Sequence, residues 1–204
     1  MTSKIRVLLA EDQSMVREAL AALLGLEDDI EVVAQAARGD EVLAAVGAHG
    51  VDVALLDIEM PGCTGIEAAA QVRRAHPRVK LVVLTTFGRP GYLRSAMEAG
   101  ADAFLVKDAP AAQLADAVRR VLAGERVIDP TLAAAALADG ANPLTERERE
   151  VLRAAADGST NAELARALHL SQGTVRNYLS TAIQKLAVRN RAEAVRIARE
   201  KGWL

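Results

Sequence analysis

Four apolar segments in the first half of the chain each run directly into polar side chains that a hydrophobic core does not require. These side chains are Glu11 with Asp12, Asp57, Thr85 and Lys107. Three carboxylates brought to one place repel one another, and they stay ionised when a cation lies among them. Oxygen ligands suit a hard cation such as Mg²⁺, which keeps several waters and accepts phosphate oxygens. The pattern therefore predicts a site that combines a metal with phosphoryl chemistry.

Within this set, Asp57 is the best candidate for a nucleophile, because it is the single acid that ends the most apolar segment. A carboxylate can attack phosphorus and form an acyl phosphate. Glu11 and Asp12 would then be metal ligands, while Thr85 and Lys107 would balance the charge of an incoming phosphoryl group. Each residue alone has a simpler explanation, such as a helix cap or a strand end. Their joint occurrence favours the site. The choice of lysine at position 107 also favours it, because only 5 of the 25 basic residues are Lys.

The elements that would position these residues alternate between short apolar runs and amphipathic segments. Strands are predicted at 4–10, 30–34, 52–57, 79–85 and 102–106, and helices at 14–24, 39–47, 65–75, 90–99 and 110–123. Continuous apolar strands indicate a parallel sheet that is covered on both faces. We therefore expect a doubly wound, flavodoxin-like α/β domain with five parallel strands. The carboxyl ends of its strands would line one crevice, where ligands bind.

Composition and charge divide the 204 residues into two domains with a linker. Residues 1–123 form the predicted α/β domain, 124–142 a linker with one short helix, and 143–204 a second domain. The last segment holds 11 Lys and Arg against 7 Asp and Glu, whereas residues 1–142 hold 14 against 20. No apolar run is long enough to span a membrane, and a single cysteine excludes an internal disulfide or zinc cluster. The composition predicts a cytoplasmic protein.

Residues 143–204 are predicted to form a small all-α domain of four helices, at about 145–156, 160–167, 171–186 and 190–200. Capping boxes mark three of the starts, at Thr145, Thr160 and Asn190. The third helix carries an apolar stripe and an opposite polar stripe, and a turn of helix-turn-helix length precedes it. Arg and Asn suit base edges in the major groove, and the flanking hydroxyls and lysine suit phosphates. The candidate DNA contacts are Thr174, Arg176, Asn177, Tyr178, Ser180, Thr181, Gln184 and Lys185.

The first domain resembles the receiver domain of two-component response regulators. The matching motifs are Ala10-Glu11-Asp12, the segment 55–62 (Leu-Leu-Asp-Ile-Glu-Met-Pro-Gly), Leu84-Thr85-Thr86 and Phe104-Leu105-Val106-Lys107. The resemblance implies phosphorylation of Asp57 by a sensor histidine kinase, and Mg²⁺ bound by Glu11, Asp12, Asp57 and the main-chain carbonyl of Glu59. It also implies that Phe104 is an aromatic switch residue. The sequence departs from many receivers at Asp108, where they have proline, and this leaves the isomer of the Lys107–Asp108 peptide open.

The second domain resembles the LuxR-type four-helix DNA-binding domain, so the whole chain resembles a response regulator of the NarL/FixJ type. The motifs are the segments 144–152, 162–165, 170–178, 185–186 and 190–194. The resemblance implies double-stranded DNA with paired half-sites, and a homodimer that forms on phosphorylation. The predicted helices 14–24 and 110–123 are candidate dimer surfaces. Their expected exposed positions are Met15, Ala19, Ala22, Ala112, Ala115 and Arg119.

We therefore expect a transcription factor that is controlled by Mg²⁺-dependent phosphorylation. It would not be an enzyme beyond self-phosphorylation from a phosphodonor and slow autodephosphorylation. Two alternatives remain at this point. One is a phosphatase-like enzyme that uses Asp57 as its nucleophile, and the other is a receiver that dimerises without phosphorylation. The sequence favours the first expectation, because all the site residues are present and no cap domain fits in the chain.

Overall fold

A computed structural model describes residues 4–86, 90–107, 110–138 and 142–204. The chain divides into two compact units, of which the first comprises residues 1–88 and 93–134 and the second residues 89–92 and 135–204. None of the helices in the described ranges combines the length and apolar character that crossing a membrane requires.

The first unit is built on a parallel sheet with the strand order β2-β1-β3-β4-β5-β6. The strands are β1 (Ile5–Ala10), β2 (Ile30–Ala36), β3 (Val53–Asp57), β4 (Lys80–Thr85), β5 (Ala103–Val106) and β6 (Val127–Ile128). The chain reverses direction across the sheet between β2 and β3, because β1 pairs with both of them. This reversal opens a crevice at the carboxyl ends of β1 and β3, as expected for a doubly wound sheet.

Helices cover both faces of this sheet, which explains the continuous apolar runs in β1, β3, β4 and β5. The α-helices of the described residues up to 138 are α1 (Ser14–Gly25), α2 (Val42–His49), α3 (Gly65–Ala75), α4 (Pro90–Glu98), α5 (Ala111–Leu122) and α6 (Pro130–Ala138). One core cluster joins Val7, Leu9, Val53 and Leu55 to α1 and α5. A second cluster joins the alternate strand positions to α2 and α3. The strict alternation follows from the two-residue period of a strand.

The sheet has one strand more than predicted. Val127 pairs with Ala103 and Ile128 pairs with Phe104, so that a short strand covers the outer edge of β5. A two-residue strand carries no readable hydrophobic period, so β6 lies within the stretch that the sequence predicts to be a linker. The short helix expected in the linker is present as α6, which begins where Asp129 Oδ1 accepts the main-chain N–H groups of Thr131 and Leu132.

The second unit consists of four helices around one core: α7 (Glu146–Ala154), α8 (Asn161–Ala167), α9 (Gln172–Lys185) and α10 (Arg191–Glu200). Two predicted capping boxes are complete, at Thr145 and Thr160. The third is half formed, because Asn190 accepts the Glu193 N–H while the Glu193 carboxylate accepts the N–H of Arg189 instead. The helix nevertheless begins at the predicted place.

The outer surface of α1 is apolar at several positions. Met15 and Leu26 are 81% and 79% exposed, and Leu23 and Leu122 are also exposed. Ala19, Ala22 and Ala112 are exposed as expected, but Ala115 is buried. The prediction for Ala115 is wrong because α5 turns this residue towards the sheet, where it joins the core.

Candidate functional site

The carboxyl ends of β1 and β3 bring two acidic residues together in the first unit. Ala10 pairs with Leu56, so Glu11 and Asp57 follow paired positions of neighbouring strands. Glu11 is 0% exposed and Asp57 is 5% exposed. Carboxylates with so little access to water require compensation by another charge or by hydrogen bonds. Their burial at this edge of the sheet therefore indicates a site rather than a solvated surface.

Lys107 provides that compensation from the end of β5. Its Nζ lies 2.8 Å from Asp57 Oδ1 and 2.5 Å from Glu11 Oε2. The Lys107 main-chain N–H also donates to Thr85 O at 2.8 Å, which fixes the loop after β5 against the end of β4. The structure thus brings together Glu11, Asp57, Thr85 and Lys107, as the strand-end pattern predicts.

Burial and charge act in opposite directions on these groups. Burial raises the pKa of Asp57 to about 6, although the Lys107 ammonium acts to lower it. Burial acts to lower the pKa of Lys107, but its two carboxylate neighbours outweigh this effect and hold that pKa above its usual value. The site therefore contains a fixed cation beside an aspartate that is poised between its protonated and ionised forms.

The acidic cluster fits a metal ion. One carboxylate oxygen from each of Glu11, Asp12 and Asp57 lies within 4.8 Å of the others. Glu11 Oε2 is buried and accepts no hydrogen bond from the described residues, in spite of its close ion pair with Lys107. Clustered carboxylate oxygens of this kind are ready ligands for a hard cation. Asp12 is exposed, and Glu59 lies in the loop that follows β3.

The predicted switch residues lie on β4 and β5, the two strands that follow β3 in the order of the sheet. Thr85 is 4% exposed at the end of β4, and Phe104 is 0% exposed in the middle of β5. Phe104 pairs with Val83 on one side and with Ile128 on the other. The Lys107–Asp108 peptide lies outside the described residues, because Asp108 is not among them.

Two residues that support the site were not recognised in the sequence. Arg17 Nη1 donates to the main-chain carbonyl of Glu11 at 2.5 Å and thereby fixes the loop that carries Glu11 and Asp12. Gly65 begins α3 directly against the site, since a Cβ at this position would lie 1.9 Å from Asp57 O. A glycine soon after the candidate nucleophile was the available signal for the second residue. The Arg17 contact depends on the turn into α1 and has no local signature.

In the second unit, the polar and apolar sides of α9 are separated as predicted. Val175, Leu179 and Ala182 are buried in the core of this unit. Ser171 caps the helix, because its Oγ accepts the N–H of Thr174 at 3.0 Å. The turn from α8 into α9 contains His169 in the left-handed conformation, with φ 54°. Helices α8 and α9 with this turn form the expected helix-turn-helix.

The candidate DNA contacts lie on the other side of α9. The exposed residues are Arg176, Asn177, Ser180, Thr181, Gln184 and Lys185, and the half-buried ones are Thr174 and Tyr178. Tyr178 packs its ring against the core, so less of it is accessible than its neighbours. Lys185 differs from the other contacts in having an ion-pair partner, the carboxylate of Glu148, at 2.8 Å. The pairing of Glu148 with Lys185 was not predicted from the sequence, because the two residues are 37 positions apart.

Two models of known protein families match the chain. Residues 7–119 match the model of the response regulator receiver domain. Residues 142–198 match the model of the bacterial regulatory proteins of the luxR family. The two matches cover the part of the chain that holds the acidic cluster and the part that holds α9.

Individual proteins are similar over almost the full length. The transcriptional regulatory protein DesR of Bacillus subtilis is 46% identical over 199 residues, which are 98% of this chain and 98% of DesR. The response regulator RamR of Streptomyces coelicolor is 43% identical over 206 residues, covering 100% of both chains. The crystal structure of ChrA, a response regulator of a heme-sensing two-component system, is 35% identical with a TM-score of 0.59, and the match covers 99% of this chain and 100% of ChrA. The chain therefore belongs to the two-component response regulators of the NarL/FixJ type, transcription regulators that join a receiver domain to a LuxR-type DNA-binding domain.

Proposed function

We propose that Asp57 is the residue that accepts the phosphoryl group, and that a sensor histidine kinase is its donor. The observation that carries this proposal is the contact of a buried Asp57 with Lys107, within a cluster of the carboxylates of Glu11, Asp12 and Asp57. Glu11, Asp12, Asp57 and the carbonyl of Glu59 would hold Mg²⁺. When bound, this ion supplies positive charge. That charge reduces the electrostatic repulsion between the phosphoryl oxygens and the carboxylates of the site.

The side chains of the site have distinct roles in this reaction. The Asp57 carboxylate attacks the phosphorus of a phosphohistidine or a small acyl phosphate, the bond from phosphorus to the leaving group breaks, and an aspartyl phosphate forms. Lys107, which already contacts Asp57, would hold one phosphoryl oxygen, and the Thr85 hydroxyl would donate to another. A later attack by water on the aspartyl phosphate releases inorganic phosphate and restores Asp57.

The phosphoryl group adds roughly two negative charges to the end of β3. Thr85 would move towards it, and Phe104 would fill the space that is left, so the face formed by the last elements of the receiver changes. We propose that this change favours a homodimer through the exposed apolar side chains of α1 and the end of α5. In this cytoplasmic dimer, two copies of α9 would occupy half-sites about 10 bp apart in double-stranded DNA.

On α9, Arg176 and Asn177 are the proposed base contacts, because bidentate side chains at exposed positions suit guanine and adenine. Thr174, Tyr178, Ser180, Thr181, Gln184 and Lys185 would line the groove or approach the phosphates. Selection of bound fragments from a genomic library, with and without phosphorylation, tests this part. Enrichment of a two-fold symmetric motif by the phosphorylated chain is expected, and enrichment of unrelated sequences in both conditions would oppose it.

Incubation with acetyl phosphate and MgCl₂, followed by intact-mass measurement, tests the phosphoacceptor. We expect one added phosphoryl group, which Asp57→Asn abolishes and which EDTA prevents. Asp52→Asn is the matched control, because it removes an exposed aspartate just before the same strand. Turnover of phosphate esters would instead support a phosphatase. A dimer that forms equally in Asp57→Asn would support a receiver that is independent of phosphorylation.

A further inference from the structure

An ion pair between a buried carboxylate and a partly exposed lysine joins the first helix of the DNA-binding unit to the last turn of α9. Glu148 on α7 is 4% exposed, and its Oε2 lies 2.8 Å from Lys185 Nζ. The same oxygen accepts the main-chain N–H of Thr145 at 2.7 Å, which completes the capping box of α7. One carboxylate oxygen therefore fixes both the start of α7 and the end of α9.

Glu148 is held as an anion in this position. Burial acts to raise the pKa of Glu148, but the hydrogen bonds from Lys185 and from the main chain and hydroxyl of Thr145 outweigh it, so the pKa lies below its usual value. A buried carboxylate that loses its cation is strongly destabilising, because nothing else compensates its charge. Among the described residues, the side chain of Lys185 is the cation that Glu148 contacts.

The charge of Lys185 is consequently already neutralised before DNA arrives. Arg176 on the same helix is exposed, and no ion pair joins it to another described residue. The salt dependence of DNA binding reports how many cations of the protein replace counterions on the phosphates. Each such cation contributes about 0.9 to the slope of log K against log salt concentration. A lysine that stays paired with Glu148 adds little to that slope, whereas a solvated arginine at a phosphate adds the full amount.

We propose that Glu148 and Lys185 are positioning residues that fix the orientation of α9 for sequence recognition, and that Lys185 acts chiefly through Glu148 rather than through a phosphate. This inference rests on the proposed role of α9 in DNA binding. It changes the expectation for Lys185. Loss of the Lys185 ammonium would leave the Glu148 carboxylate uncompensated and would displace α9 from its base contacts. If the charge of Glu148 is removed as well, the ammonium is no longer required.

The experiment is a double-substitution cycle in the full-length chain. The variants are Lys185→Gln, Glu148→Gln, and the two together. The control pair is Glu146→Gln alone and with Lys185→Gln, which removes the same charge from α7 at a side chain that is 70% exposed. The probes are a duplex of ~30 bp recovered by selection with the unsubstituted chain and a duplex of shuffled sequence. Affinity is measured at several salt concentrations, and thermal unfolding is recorded for each variant.

We expect Lys185→Gln to weaken binding of the selected duplex about tenfold or more, the scale of one lost base contact. The salt slope should stay unchanged. Adding Glu148→Gln should restore most of the affinity, while adding Glu146→Gln should not. If Lys185→Gln alone is unfolded, the doubly substituted chain alone tests the inference. It should bind the selected duplex with the same salt slope as the unsubstituted chain.

Three results would overturn the inference. The first is a salt slope reduced by about 0.9 in Lys185→Gln or in the doubly substituted chain, which would place the ammonium at a phosphate. The second is an equal recovery of affinity when Glu146→Gln or Glu148→Gln is added to Lys185→Gln, which would show that the effect depends on net charge alone. The third is an unsubstituted chain that selects no duplex, and only this result would also remove the proposed DNA-binding function.

Discussion

Replacement of Asp57 by Asn should stabilise the receiver unit at neutral pH when no divalent metal is present. The folded protein buries the Asp57 carboxyl and raises its pKa from 3.8 to about 6. A group with a raised pKa contributes its full stability below the unfolded value of 3.8, and this contribution is lost as the pH rises through about 6. At pH 7.5 the native state therefore carries the whole cost of the ionised form. Asparagine keeps the shape of the side chain without that charge.

The size of the effect follows from the two pKa values. Each pH unit between 3.8 and about 6 corresponds to about 1.4 kcal/mol, so the ionised carboxylate costs about 3 kcal/mol at pH 7.5. For a domain of this size, that is a rise in Tm on the order of 10 °C. The difference should fall to about a third at pH 4.5, because native Asp57 is then mostly protonated. Mg²⁺ should stabilise the unsubstituted chain more than Asp57→Asn, since a ligand of the native state raises stability by mass action.

Calorimetric unfolding of the full-length chain at pH 7.5 and 4.5, in EDTA and in MgCl₂, tests these values. Asp52→Asn again serves as the control, because this exposed aspartate lies outside the buried site. The reasoning is refuted if Asp57→Asn in EDTA at pH 7.5 is no more stable than the unsubstituted chain. It is also refuted if the gain in stability persists undiminished at pH 4.5.

Three further outcomes are expected. Arg119→Ala should lower the Tm of the receiver at pH 7, because Arg119 donates to Asp29 and holds the pKa of that carboxyl low. This loss of stability should disappear in acid, as the pH falls below 3.8, the ordinary pKa of an aspartate. A difference in Tm that grows in acid would contradict this reasoning. Thr145→Ala should destabilise the DNA-binding unit by about 1 kcal/mol in urea titrations, since the cap to the Glu148 N–H is lost. Arg176→Ala should cost about 1–3 kcal/mol on the selected duplex and relax preference at one base, and uniform weakening on all duplexes would indicate a phosphate contact instead.

The acidic site could be predicted from the sequence because its members occupy equivalent places in the fold. Asp57, Thr85 and Lys107 each end a parallel strand, and such ends meet at one edge of the sheet whatever the details of packing. The polar side of α9 was predicted for a similar reason, since the helical period separates exposed from buried residues. In both cases a local pattern and a general rule of assembly were sufficient.

Contacts between distant segments could not be predicted in this way. The pairing of Glu148 with Lys185, and of Arg17 with the main chain of Glu11, depends on how helices pack and end. Glu148 matched a capping box, which explained it locally and concealed its second role. The prediction that Ala115 is exposed was wrong, because the rotation of α5 about its own axis is set by the sheet against which the helix packs. Such features require the three-dimensional arrangement.

The short strand β6 determines where the receiver can be cut. Val127 and Ile128 supply the partner for the outer edge of β5, and the N–H of Val127 donates to Asp102 O. A fragment that ends at residue 123, where the helical pattern stops, would expose that edge to pairing with other molecules. Expression of the isolated receiver should therefore extend at least through β6, and fragments that end before Val127 are expected to aggregate.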